Sequence, residues 1–313
     1  RVLWCSIRAL RQRYGFVRCY VYTGDAATGD EILQRAKDRF NIDLCGSVEF
    51  VPLRRRRWVE AEKWPYFTLL GQSVGSMWLG LEALLSFVPD VYIDSMGYAF
   101  TLPLFKWFGC CRVGCYVHYP TISTDMLQRV SIREEAFNNA GYIARSRVLT
   151  TFKLLYYHLF AALYGFVGRR ADTVMVNSTW TRQHIDSLWT VESKTNVVYP
   201  PCDTSGLSEG QLTDVPGKDG VHRIVSVAQF RPEKNHELQL EAFAKLLAKF
   251  SKKRSQQVEL VLVGGCRNEG DHSRVTKLRE KAEELGITSR VRFEINVPYG
   301  QLRDLLTSAT IGL

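Results

Sequence analysis

An α/β fold, with helices packed on parallel sheets in two domains, is the class this sequence predicts. Strand-like apolar runs and helix-like periodic segments alternate through almost all of its 313 residues. The alternation breaks once, at Pro200-Pro201 and the Gly-, Ser-, Thr-, Asp- and Pro-rich stretch that runs to Gly220, and then restarts. The length suits two domains of ordinary size. The boundaries expected are a first domain over 1–200, a linker over 201–220 and a second domain over 221–313.

The elements follow in order. Val2, Leu3, Ile7, Leu10 and Tyr14 share one helical face that Gly15 ends. Phe16–Tyr22 reads as a strand, Asp30–Phe40 as a helix, and Val48–Leu53, Asp90–Ile93 and Arg112–His118 as strands. A long helix over Leu149–Val167 precedes a strand at Asp172–Val176, a helix at Ser178–Trp189 and a strand at Thr195–Tyr199. After the linker come strands at Ile224–Ala228, Val258–Val263 and Val291–Ile295, alternating with helices at His236–Phe250, Arg274–Leu285 and Tyr299–Thr307. The chain opens inside a helix and closes on Ala309–Leu313, which reads as a strand cut short. It is therefore expected to be a fragment, with its second domain truncated.

The formal net charge of +9 suits an anionic partner: nucleic acid, an acidic membrane surface or a phosphorylated substrate. The basic residues form no recognised nucleic-acid motif, so nucleic acid is not expected as a partner. The 8 cysteines include no C-x-x-C pair, which suits a reducing compartment. Cys111, Cys115 and His118 lack a second ligand pair and read as core residues rather than a zinc site. There is no G-x-G-x-x-G and no P-loop, which argues against a dinucleotide oxidoreductase and a P-loop ATPase.

Two segments are unusually apolar. Pro65–Pro89 follows the run Arg54-Arg55-Arg56-Arg57-Trp58, and Leu154–Gly168 is flanked by Lys153 and Arg169-Arg170. Polar breaks in the first and the shortness of the second argue against membrane spans. Core helices and a surface lying on an anionic membrane are both open for them, and the two are compatible. In the second reading Arg54 to Arg57 and Trp58 face the membrane.

The chemistry centres on Arg223–Leu247. Ile224–Ala228 reads as a strand buried on both faces. A polar turn follows with Arg231 and Lys234, then Asn235 as a helix N-cap, with Leu238, Ala242 and Leu246 at helical spacing. Two cations thus sit where a parallel strand hands over to a helix N-terminus, a place that favours a doubly charged anion such as a diphosphate. A solvated basic turn is the plain alternative; the position at a strand's carboxyl end favours ligand binding. His118 ends another strand just before Pro120 and the polar loop Thr121–Asp125, so it is either a crevice residue or a structural histidine. Within Asn177-Ser178-Thr179, Ser178 or Thr179 is expected to cap a helix. Gly264-Gly265, after a strand, allows close backbone approach to a ligand or simply makes a tight turn.

The segments GYAFTLPLFKWFG, HYPTISTDML, VMVNSTWT, VVYPPCD, VAQFRPEKNH and LVGGCRN resemble the GT-B glycosyltransferases of family 4. Within that family they are similar to the eukaryotic α-1,2-mannosyltransferases of asparagine-linked glycosylation. The resemblance covers essentially the whole chain. It implies a GT-B fold of two Rossmann-like domains facing a cleft, and retaining transfer of mannose from GDP-mannose to a dolichol-diphosphate-linked oligosaccharide without an essential metal or other cofactor. It further implies a place at the cytosolic face of the endoplasmic reticulum membrane, with the membrane surface and other mannosyltransferases of the assembly as partners. Arg231 and Lys234 would hold the donor diphosphate, and His118 would act catalytically by contacting the transferred sugar. Gly264, Gly265, Asn296, Val297 and Pro298 would lie where the family binds phosphate or base. Ala228 and Gln229 stand where the common family pattern has Gly and Arg, so Arg231 would have to take that Arg's place. The family's glycine-rich loop would precede Arg1 and its paired glutamates would follow Leu313, so residues 1–313 alone are expected to be inactive. The alternatives are another family 4 enzyme with a different nucleotide sugar, and a non-catalytic GT-B protein that binds lipid-linked sugar.

Overall fold

The computed structural model describes residues 1–40, 42–44, 48–132, 147–201 and 220–313. Two compact units divide between Pro201 and Cys202. The linker expected over 201–220 falls, apart from its two end residues, outside the described residues.

The first unit runs α1 (Val2–Arg13), β1 (Cys19–Thr23), α2 (Gly29–Phe40), β2 (Val48–Pro52), α3 (Thr68–Ser86), β3 (Val91–Asp94), α4 (Leu102–Trp107), β4 (Arg112–Val117), α5 (Thr124–Ser131), α6 (Arg147–Gly168), β5 (Thr173–Val176), α7 (Thr179–Trp189) and β6 (Thr195–Val197). Its main sheet is four-stranded, in the order β3-β4-β5-β6, and every pairing is parallel. β1 and β2 form a separate parallel pair. Parallel neighbours need crossovers, and the helices between them supply these. The core joins Val113, Cys115 and Val117 of β4 to Phe105 of α4, Phe160 and Tyr164 of α6, and Ile185 and Trp189 of α7.

The second unit runs β7 (His222–Val227), α8 (His236–Ala248), β8 (Val258–Gly264), α9 (Glu269–Glu284), β9 (Val291–Ile295), α10 (Tyr299–Thr307) and β10 (Ile311–Gly312). The sheet is parallel throughout, in the order β10-β7-β8-β9. Its central strand shows why near-continuous apolar runs mark such sheets. Leu260 and Leu262 enter one core with Leu240, Phe243 and Leu278, while Val261 and Val263 enter another with Val225 and Leu305. Successive side chains alternate between faces, and both faces are covered by helices.

The structure corrects several expectations. β1 begins at Cys19 rather than Phe16, whose ring is exposed. α9 begins five residues before Arg274, because the side chain of Asn268 caps it by accepting from Asp271 N–H. The polar loop expected over Thr121–Asp125 contains the start of α5, capped by the buried Ser123. On α8 the predicted stripe is rotated: Leu238 and Ala242 are exposed and Leu246 packs on the core half-buried, while His236, Leu240 and Phe243 face the core. Leu240 and the larger Phe243 fill the space over β8 that Ala242 could not.

Candidate functional site

Candidate residues lie at the carboxyl ends of strands in both units. Ligands of open α/β sheets bind at that edge.

In the first unit His118 follows β4 directly and is exposed. Its ring meets that of Tyr116 edge-on at 4.8 Å. Its carbonyl accepts from Asn177 Nδ2 at 2.8 Å, which ties the end of β4 to the end of β5. Partial burial of the ring pushes its pKa below the ordinary histidine value, opposed by a hydrogen bond with the Ser95 main chain. The neutral imidazole therefore predominates at pH 7. The following turn is held on several sides. Tyr119 packs on Trp180 at 5.3 Å, Thr121 N–H donates to Tyr164 Oη at 3.3 Å, and Thr124 Oγ1 lies 2.7 Å from His184 Nδ1. Ser178 caps α7 as expected, its Oγ accepting from Thr181 N–H.

Sequence reasoning missed Asp94, which ends β3 in register with Cys115 of β4. Its carboxyl is buried and accepts main-chain bonds from Met96, Gly97 and Tyr98. Burial nevertheless dominates and pushes its pKa up to about 6. Gly97 stands at φ +86, which suits glycine in a loop that curls back over a carboxylate. An Asp at a strand end with Gly three residues on is the signal that could have marked this turn. Beside the loop lies a cavity of about 170 Å³ between α3 and Tyr98, Phe100 and Thr121.

In the second unit the turn after β7 is a single 3-10 turn, Pro232–Lys234. Arg231 Nη1 lies 3.7 Å from Glu233 Oε1, and Arg231 Nε is buried without a hydrogen-bond partner among the described residues. Asn235 does cap α8, accepting from Leu238 N–H at 3.4 Å, but in the left-handed conformation at φ 45. Asparagine tolerates that region. His236 is buried against Phe230, with ring centroids 5.0 Å apart, and its Nδ1 has no hydrogen-bond partner among the described residues. Burial, then the nearby Arg274 and Lys234, hold its pKa below the ordinary value.

The glycines and Asn296 differ in what they do. A Cβ on Gly264 would stand 2.0 Å from the carbonyl oxygen of Ala228, so glycine is required there by the neighbouring strand end rather than by a ligand. Gly265 is open apart from Asn296 Oδ1 at 3.6 Å. The Asn296 side chain accepts from Cys266 N–H at 3.0 Å and donates to Cys266 O at 3.1 Å. It shapes the glycine loop, and its own polar atoms are occupied. Val297 packs on the core beneath α10, and Pro298 starts that helix.

Of the run 54–58, the N–H groups of Arg54 and Arg55 bond the carboxylate of Glu82 at 2.9 and 3.0 Å, and Arg56 pairs with Asp25. Trp58 is half-buried against Trp64 rather than presented as a surface aromatic. The exposed ring is Trp78 of α3, which carries the Arg55 guanidinium 4.5 Å above it. Among the described residues no group of three or more His, Cys, Asp or Glu could hold a metal ion, and no helix is long and apolar enough to cross a membrane.

Comparison with known proteins adds to this geometry. Residues 1–189 match the family model "ALG11 mannosyltransferase N-terminus", and residues 213–312 match "Glycosyl transferases group 1". The chain is 55% identical to the human GDP-Man:Man(3)GlcNAc(2)-PP-Dol alpha-1,2-mannosyltransferase over 314 residues, which is 100% of this chain and 64% of that protein. It is 46% identical to the Dictyostelium discoideum protein of the same name, covering 63% of it, and 43% identical to that of Caenorhabditis elegans, covering 67%. In each case the match takes in 100% of this chain, which thus spans about two thirds of these relatives' length. Anabaena HepE in complex with UDP aligns over 98% of this chain and 68% of its own, with TM-score 0.58 and 14% identity. A Burkholderia xenovorans alpha,alpha-trehalose-phosphate synthase aligns over 95% and 79%, with TM-score 0.60 and 11% identity. These likenesses show the GT-B fold class expected from the sequence. The match over the first 189 residues and the identities along the whole chain lead to one conclusion: the chain belongs to the ALG11 mannosyltransferase family.

Proposed function

We propose that this chain forms most of a retaining α-1,2-mannosyltransferase, which moves mannose from GDP-mannose onto a dolichol-diphosphate-linked oligosaccharide during N-glycan precursor assembly at the cytosolic face of the endoplasmic reticulum membrane. The observation that carries the reading is the β7–turn–α8 junction, where Arg231 and Lys234 stand at a strand's carboxyl end beside a helix N-terminus. The relatives named as transferring mannose from GDP-Man to Man(3)GlcNAc(2)-PP-Dol extend it to donor and acceptor.

In this mechanism the sugar–phosphate bond breaks as the acceptor oxygen bonds to the anomeric carbon, and the proton of the acceptor hydroxyl passes to an oxygen of the leaving diphosphate. Negative charge builds on the leaving diphosphate. Arg231 and Lys234, with the main-chain N–H groups at the start of α8, meet that charge in place of a metal ion. Mannose leaves an α-linked nucleotide and ends in an α-1,2 bond, so the configuration is retained. His118, neutral at pH 7, contacts the transferred sugar by hydrogen bonding and adds no charge of its own.

The membrane is reached through α6. Val148, Phe152, Leu155, Leu159, Leu163 and Phe166 recur at helical spacing on one side of it and are all exposed. Arg170 sits 4.5 Å above Phe166 and 5.4 Å above Trp107. An apolar stripe bordered by cation-capped aromatics suits the interface of an anionic bilayer.

The deciding experiment is transfer by the full-length protein to a lipid-linked trimannosyl acceptor, with GDP-mannose and UDP-sugars competing. Preference for GDP-mannose, lost in Lys234→Ala, is expected. Preference for a UDP-sugar would overturn the reading.

A further inference from the structure

We propose that the cavity between α3 and the loops after β3 and β4 is a subsite for one neutral sugar unit of the acceptor glycan. The inference rests on the mannosyltransferase reading for the identity of the acceptor, and on the cavity itself for the chemistry.

The cavity measures about 170 Å³ and is lined by Gln72, Ser73 and Ser76 of α3 and by Tyr98, Phe100 and Thr121. Pockets for drug-sized ligands run to about 300–1,000 Å³, so this one holds roughly a single ring. Among the described residues no Lys, Arg, Asp or Glu lines it. A diphosphate or a nucleotide would lie there with no cation to meet it, which leaves an uncharged ligand. The lining offers hydroxyls, an amide and aromatic rings, the set that recognises a polyhydroxylated ring.

The polar groups are already oriented. Ser73 Oγ donates to Leu69 O and Ser76 Oγ to Ser73 O, both at 2.7 Å. Each hydroxyl hydrogen is thereby spent on the helix, and the oxygen lone pairs are left to accept from a ligand O–H. Gln72 Nε2 donates to Val59 O at 2.7 Å, which fixes the amide plane and leaves Oε1 as an acceptor. The site is thus built to receive hydroxyl donors. Thr121 lies three residues from His118, so a sugar in the cavity would sit beside the strand ends where His118 stands.

α3 also favours a lipid-linked glycan over a free one. Ser73 and Ser76 are buried, whereas Leu70, Val74, Met77 and Trp78 on the other side of the same helix are exposed. An amphipathic acceptor matches both sides: chain on the apolar face, sugar in the polar cavity. Sequence alone reads Pro65–Pro89 as apolar because glycine and serine interleave with the large residues, and only the packing separates the two sides.

The test uses the full-length protein with GDP-mannose, a lipid-linked trimannosyl acceptor and two variants, Gln72→Met and Ser76→Ala. Each removes one hydrogen-bonding group at nearly constant volume. The acceptor KM is expected to rise about tenfold in Gln72→Met and severalfold in Ser76→Ala, as for one lost hydrogen bond. The GDP-mannose KM and the melting temperature of Ser76→Ala are expected to stay put. An unchanged acceptor KM in both variants would leave the cavity as a water-filled void only, and a rise confined to the GDP-mannose KM would give it to the donor; either overturns the proposal. A second measurement separates the two readings. Saturation-transfer NMR with the free trimannosyl glycan should show contact with wild-type protein that weakens in Gln72→Met. Absence of any mannose transfer by the wild type would sink the mannosyltransferase reading, while the NMR result would still decide the subsite.

Discussion

The guanidinium of Arg231 lies 3.7 Å from the carboxylate of Glu233, two residues on in the same turn, and its Nε is buried without a hydrogen-bond partner among the described residues. A donor diphosphate would compete with Glu233 for this cation. Arg231→Ala is expected to lower kcat/KM for GDP-mannose by about 10²–10³, the usual cost of one group aimed at developing charge. Arg231→Lys should not restore it, because a point charge does not replace a planar fork. Glu233→Gln removes the competitor and should lower the donor KM. Steady-state kinetics on the full-length enzyme decide this; near wild-type turnover in Arg231→Ala would remove Arg231 from the site.

Asn296 holds both main-chain groups of Cys266 and does so from φ 54. Asn296→Ala loses two hydrogen bonds and puts alanine, which lacks asparagine's tolerance of the left-handed region, at φ 54, at a combined cost of about 2–4 kcal/mol. Asn296→Gly loses the bonds but keeps the backbone, so it should cost less. Urea unfolding of the two variants gives the order. If the alanine variant were the more stable of the two, the clamp would not be what fixes the glycine loop.

Asp94 gives stability a pH dependence of unusual sign for an aspartate. Burial raises its pKa to about 6, above the ordinary carboxylate value of an unfolded chain, so the native state binds the proton more tightly. Its contribution is fully present below about pH 4 and is lost as pH rises through about 6. Asp94→Asn should abolish that slope. The quantity to measure is the difference in unfolding free energy between wild type and variant at pH 4, 5, 6 and 7. Taking the difference cancels the opposite trends from His118 and His236, whose lowered pKa values cost stability as pH falls below their ordinary range. A difference that does not change with pH would refute the buried, proton-holding Asp94.

Leu159 lies in the middle of the exposed stripe of α6, 61% accessible. Leu159→Asp should leave the fold intact by circular dichroism. It should weaken binding to phosphatidylserine-containing vesicles by about tenfold or more, the worth of one apolar side chain plus charge repulsion. Unchanged binding would show that the membrane is reached elsewhere.

Much of the fold was legible in the residues. β9 and α10 occupy the predicted Val291–Ile295 and Tyr299–Thr307. In these segments burial follows a local period, and the flanking turn residues are local too. The errors fall where a side chain decided against the period. Asn268 started α9 early, Ser123 opened α5 inside an expected loop, and Phe243 turned α8 about its axis.

Two cations at a strand–helix junction follow from the residues alone. Arg231, Lys234 and Asn235 are neighbours in the chain, and the free N–H groups of a helix start are a property of the backbone. What surrounds such junctions depends on packing between segments far apart in the chain. Ser95 reaches the His118 ring, Asn296 closes on Cys266 across 30 residues, and Gly264 has to be glycine because the Ala228 carbonyl lies against it. Gln72, Ser73 and Ser76 line a cavity whose other wall comes from the loops after β3 and β4. Each of these contacts joins segments distant in the chain that parallel pairing brings side by side. Register and helix rotation are set by the whole core at once, and no local pattern encodes them.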